Sequence, residues 1–149
     1  MAANTDPIWT KGGRVASVLV TAANTSSAGG GTIGTDIFLI ATADATNGSF
    51  FGIVRVIPVA TTPTSMTATV GRIFLSTQAS GSTTSSNTYL INEHTLPAAA
   101  ADNASTGIYY VDIPIYMPVP ASMSLLCTNH AAPAANTNWR YTLLKSGDY

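Results

Sequence analysis

The chain has 149 residues, of which six are Lys or Arg and seven are Asp or Glu, for a net charge of −1. That length suits one domain with one hydrophobic core, so neither a disulfide framework nor a structural metal is needed to hold it together. Charged residues are 9% of the chain, against about 25% in ordinary soluble proteins; no basic patch is present to meet phosphates, which argues against direct nucleic-acid binding, and so sparse a charge suits a protein buried in an assembly better than one free in solution.

Residues 1–13 read as an extended N-terminal arm and 14–149 as a single domain. The opening residues carry no charged segment followed by an apolar one, so no secretory signal is expected. No run reaches the roughly 18 apolar residues of a membrane span. The expected site of synthesis is therefore the cytoplasm, and the glycosylation-like triplets at Asn24, Asn47 and Asn103 are chance matches in an Asn/Ser/Thr-rich chain.

The first predicted strand is Arg14–Ala22. The loop Asn24–Gly34 follows, and its run Gly29–Gly31 excludes a helix and reads as flexible. Thr35–Thr42 is the second strand, and Asn47-Gly48 a tight turn. Phe50–Val59 is the third, where Pro58 indicates an edge or a strand end. Thr67–Thr77 is the fourth strand. The low-complexity segment Gln78–Asn87 reads as an exposed loop, and Thr88–Thr95 as the fifth strand. In Leu96–Thr106, Pro97 and the alanines after it allow one helical turn. Gly107–Tyr116 is the sixth strand, with Tyr109, Val111, Ile113 and Ile115 on its core face and Ile108, Tyr110, Asp112 and Pro114 on the other. Pro118 and Pro120 turn the chain into the seventh strand, Ser122–Asn129. Asn138–Lys145 is the eighth. No 3.6-residue period persists, and about eight strands with turn signals between them predict an all-β, antiparallel, jelly-roll-like β-sandwich.

Chemistry is hard to assemble from these residues. Cys127 stands alone and reads as a small core hydrophobe; His130, three residues on, falls on the opposite face of a strand. His94 and Glu93 are strand neighbours and point apart. No Gly-x-Ser-x-Gly elbow, phosphate loop, Cys pair or calcium loop is present. Asp112, inside a strand, is expected to pair with Arg55 or Arg72. The expectation is a non-enzyme with no cofactor and no metal site. Most aromatics alternate within strands and read as packing residues. Trp9, after Pro7 and Ile8 and before Gly12-Gly13, has little core to enter and reads as an anchor on a partner. Asp148 and Tyr149, beyond Gly147, read the same way.

Several stretches together carry a resemblance: Pro7–Val15 (PIWTKGGRV), strands rich in Thr, Ala and Val, the turn Met117–Leu125 (MPVPASMSL), Trp139-Arg-Tyr, and the ending Lys145-Ser-Gly-Asp-Tyr149. In these the chain resembles small β-rich virion structural proteins of tailed bacteriophages, with head decoration (cement) proteins among them. The resemblance implies a homo-oligomer, expected as a trimer, assembled in the host bacterial cytoplasm and located in the virion. Its partner would be the major capsid protein or another virion protein, with no membrane involved. Two alternatives stand beside it: a tail, neck or fibre component of the virion, and a carbohydrate-binding β-sandwich module.

Overall fold

Branched and aromatic side chains alternate with polar ones along much of the chain, a period of two that buries one face of a strand. The computed structural model describes residues 12–60, 64–101 and 109–149, and within them the pattern forms strands and no helix. In chain order these are β1 (Gly12–Val20), β2 (Gly31–Thr32), β3 (Phe38–Thr42), β4 (Ser49–Ala60), β5 (Thr64–Met66), β6 (Thr69–Ser76), β7 (Ser82–Thr83), β8 (Thr88–Leu96), β9 (Ala99–Ala101), β10 (Val111–Val119), β11 (Ser124–Asn129) and β12 (Thr137–Asp148).

Two four-stranded sheets carry the fold, in the orders β1-β12-β4-β10 and β3-β11-β6-β8; β2 with β7 and β5 with β9 form two short ladders beside them. Setting the short ladders aside, the long strands pair antiparallel, first with last, second with seventh, third with sixth and fourth with fifth. The ladders β12–β4 and β11–β6 join these pairs into sheets. One long hairpin rolled on itself gives this order, which is that of an eight-stranded jelly roll. The antiparallel, jelly-roll-like sandwich expected from the sequence is the observed fold.

The core lies between the sheets. Val54 and Val56 of β4 and Trp139, Tyr141 and Leu143 of β12 meet Ile73 and Leu75 of β6 and Leu125 and Cys127 of β11. The sixth predicted strand keeps its faces: Ile113 is buried and Tyr109, Val111 and Ile115 pack against the core, while Tyr110, Asp112 and Pro114 are exposed.

Pro58 lies near the end of β4, as expected, and past Val56, the last residue that β10 pairs. Four expectations change. Pro118 does not turn the chain but lies inside β10, opposite Phe50. Ala99–Ala101 is not a helical turn but strand β9, paired with Thr64–Met66. A lone turn has a costly nucleus, whereas a waiting strand satisfies the same backbone groups at once; the rest of that stretch, 102–106, lies outside the described residues. The loop around Gly29–Gly31 is packed rather than loose. A Cβ at Gly29, where φ is +74°, would press on Thr88 and Phe74, and one at Gly31 on Asn24 and Asp36. Finally, the loop Gln78–Asn87 is not exposed throughout: it holds β7, which pairs with β2, and buries Thr83.

Regular pairing in the first sheet lapses along one line. β1 has a register shift between Arg14 and Ala16, and β10 between Pro114 and Met117. Lys145 and Tyr116 take positive φ, 53° and 40°. Between them Gly52 of β4 faces the Lys145 carbonyl oxygen so closely that a Cβ would collide with backbone on β12. Gly52→Ala is therefore expected to destabilise the fold by about 1–3 kcal/mol, as overpacking does, seen as a lower urea midpoint with the native circular dichroism spectrum retained.

Candidate functional site

Among the residues singled out at the two ends, Pro7, Ile8 and Trp9 lie outside the described residues. Asp148 ends β12 opposite Gly12 of β1. Its Oδ1 accepts hydrogen bonds from Arg14 Nη1 (3.0 Å) and from Ser49 Oγ. Arg14 Nη1 also donates to the Thr42 carbonyl at the end of β3 (2.8 Å), in the other sheet. Ser49 Oγ accepts from the Asp44 amide (2.9 Å), and the Tyr149 amide donates to the Gly48 carbonyl (3.3 Å). The Asp148 carboxylate thus ties β12, β1 and β4 to the neighbouring sheet, and the Tyr149 side chain is half-buried.

The titratable groups are scattered, and no three His, Cys, Asp or Glu side chains converge as metal ligands among the described residues. Cys127 is buried, and burial pushes its thiol pKa well up, which keeps it a poor nucleophile; His130 is exposed. Asp112 pairs with Arg55, bidentate at 2.7 Å through Nε and Nη2, and that guanidinium holds its carboxyl below the ordinary value. Arg72 pairs instead with Glu93 (2.6 Å).

One polar group of side chains sits between the sheets. Tyr141 of β12 reaches across to Asn129 of β11, donating to Oδ1 at 2.8 Å, and lies 3.3 Å from Nε2 of His94 on β8. His94 Nδ1 is 3.0 Å from Asn92 Oδ1. Gly71, level with His94 on β6, makes the room, because a Cβ there would strike both the imidazole and the phenol. Asn129 Nδ2 and Thr128 Oγ1 are buried without a hydrogen-bond partner among the described residues. Burial lowers the His94 pKa to about 4, against a smaller opposing effect of Glu93, and raises that of Tyr141 well above 10. A neutral imidazole and a neutral phenol held away from solvent bridge the two sheets and offer no activated nucleophile.

The outer faces of the two sheets differ. On the sheet β3-β11-β6-β8 the chain leaves Tyr89 and Leu90 of the edge strand β8 exposed but covers part of its own face: Ile37, Phe74 and Leu126 form a second buried cluster, with Ile33 and Leu39 against it. The segment leading there is pinned by the Asn24 amide to the Asn129 carbonyl (2.8 Å) and by Arg72 Nη1 to the Asn24 carbonyl (3.4 Å). On the sheet β1-β12-β4-β10 the residues alternating with the core set include the aliphatic Leu19, Leu144, Ile53, Ile57 and Val59, partly exposed and outside both buried clusters, together with a polar row, Ser17, Thr142, Arg55 and Asp112, that crosses between them. Val15 at the β1 bulge is 74% exposed, and Tyr110 and Tyr116 beside β4 are each 56% exposed. Arg55 lies 4.5 Å over the Tyr110 ring. The sequence carried a signal for this face that the strand reading did not use: Phe50–Val59 is apolar at both parities, as in a strand meant to be covered on both sides.

Comparison with protein-family models, with curated proteins and with solved structures finds no match to this chain. The jelly roll itself is shared by viral capsid domains, lectins and other unrelated proteins, so the fold alone names no activity.

Two outcomes are expected. For His94, the unfolded state binds a proton below its ordinary pKa of 6.5, whereas the folded state resists until about 4. Its stabilising effect is complete above pH 6.5 and is lost as pH falls towards 4, by about 3 kcal/mol in all; urea titrations across that range should show the loss, and His94→Gln should flatten it. Asp148→Ala, which releases Arg14 and Ser49, should cost about 1 kcal/mol at this half-exposed site, read as a lower melting temperature.

Proposed function

We propose that the chain is a virion structural protein, a capsid decoration (cement) protein that binds an assembled phage head and stabilises it. The observation that carries this reading is the contrast between the two outer faces. The chain covers part of one with its own loop and leaves aliphatic rows open on either side of a polar row on the other, in a protein that has few charges. Aliphatic side chains left open and rimmed by polar groups on a regular sheet are the kind of surface a partner covers. A partner that binds only the assembled shell raises the stability of that shell by mass action, with no chemistry required. The resemblance to small phage virion proteins points the same way, to the major capsid protein as partner and to copies of the chain grouped as a trimer.

The carbohydrate-binding alternative calls for aromatic rings side by side. Tyr110, just before β10, and Tyr116, within it, are six residues apart in nearly extended chain, which separates them by on the order of 15–20 Å, too far to stack on one sugar ring.

Location in the particle is the direct test. Gold-labelled antibody against the chain is expected to decorate the whole head of intact virions. Added to expanded heads lacking it, the purified protein should raise their melting temperature. Label confined to one vertex or to the tail would assign the chain to the tail, neck or fibre instead, and virions without label would remove the reading altogether.

A further inference from the structure

The cations on the open sheet face are not equivalent. Arg55 is neutralised in place by the two hydrogen bonds to Asp112. Arg140 is in register with Leu19 of β1 on one side and Ile57 of β4 on the other. It makes none of the ion pairs found among the described residues. The next outward positions on β12 and β4 are Asn138 and Val59 in one direction and Thr142 and Arg55 in the other. Arg140 therefore has aliphatic neighbours, Leu19 and Ile57, on its own row, Asn138 and Val59 on one side, and Thr142 with the Arg55–Asp112 pair on the other. Covering that surface while leaving Arg140 unpaired would strand a desolvated charge, at a cost that exceeds the gain from the aliphatic groups around it.

We infer that this face is the contact surface for the shell, and that the shell subunit presents to it an apolar patch with a carboxylate opposite Arg140. The inference rests on the decoration reading above. The size fits: four strands about 4.8 Å apart and four outward rows about 6.8 Å apart make roughly 500 Å² of sheet, a large share of the roughly 800 Å² that each partner buries in a standard interface. Charge selects the occupant. A second copy related by a two-fold axis would bring a like face against this one. Among the described residues of that face it would bring another Arg140 with no ion pair and, as its acid, an Asp112 already engaged by its own Arg55. An acidic, apolar surface on a different protein satisfies Arg140 without that conflict. Arginine in such a setting forms a planar, paired bond that fixes register as well as affinity.

The test uses the full chain and expanded heads lacking it, with binding measured for the unmodified protein and for Arg140→Glu, Arg140→Lys, Ile57→Gln and, as a control on the other sheet, Thr95→Lys. Melting curves of the isolated variants should match that of the parent, because these side chains lie outside the core. Arg140→Glu is expected to weaken binding by about 30-fold or more. Ile57→Gln should weaken it less, Arg140→Lys should keep most of it, and Thr95→Lys should leave it unchanged. If the parent binds and Arg140→Glu and Ile57→Gln bind equally well, the surface is wrong while the decoration reading stands. If the parent does not bind heads at all, both fall. If the same substitutions instead lower the oligomeric state in sedimentation, the occupant is a second copy and the stated partner chemistry is overturned.

Discussion

β12 is the last strand in the chain and lies inside its sheet, hydrogen-bonded to β1 on one side and to β4 on the other. Until it is in place, only the β4–β10 ladder of that sheet can exist. Its pairing with β1 joins Gly12 to Asp148, and closing so long a loop has an entropic cost that no local contact offsets first. The compensation comes from the strand's inner face. Trp139, Tyr141 and Leu143 are all buried, and full burial of a large apolar side chain contributes about 1.5–3 kcal/mol. The fold is thus held by its most distant contacts.

Much else follows from where β12 sits. Tyr141 can reach Asn129 and His94 in the opposite sheet only because β12 lies over the middle of the sandwich, and that polar bridge fixes how the two sheets are aligned across an otherwise greasy interior. The Lys145 carbonyl can enter β4 only at Gly52. Asp148 closes the far end by holding Arg14, whose guanidinium also reaches β3. With the strand pinned at both ends and in the middle, its outward residues, Arg140 and Leu144 among them, are displayed at fixed spacing on a rigid element. That is the condition for recognising a partner without ordering cost.

The sequence made the strands legible wherever one face is apolar and the other polar. Tyr109 to Ile115 is the clearest case, and its two faces are the observed ones. That Asp112 pairs with an arginine was legible for the same reason, since an acid inside a strand needs a neighbour; the choice of Arg55 over Arg72 comes from the β4–β10 register. Three things were not. The alanines after Pro97 have good helix propensity, but Thr64–Met66, far away in the chain, decides their state. The glycines at 29–31 suggested slack, because a run without side chains does not reveal that Phe74 and Thr88 press against it. The difference between the two outer faces is a property of what covers each sheet, which alternation along a single strand does not encode.

β10 is an edge strand, and it carries Pro114 and Pro118, a register shift between Pro114 and Met117, and a left-handed Tyr116. Prolines remove amide donors and a bulge twists the strand away from a would-be neighbour, so this edge resists adding another strand. In an ordered array, where copies of one protein are held a few nanometres apart, edge-to-edge pairing would be fast and hard to reverse. An edge that refuses it lets such copies stand at high local density as separate bodies, so the array can come apart or be completed copy by copy without turning into a fibre.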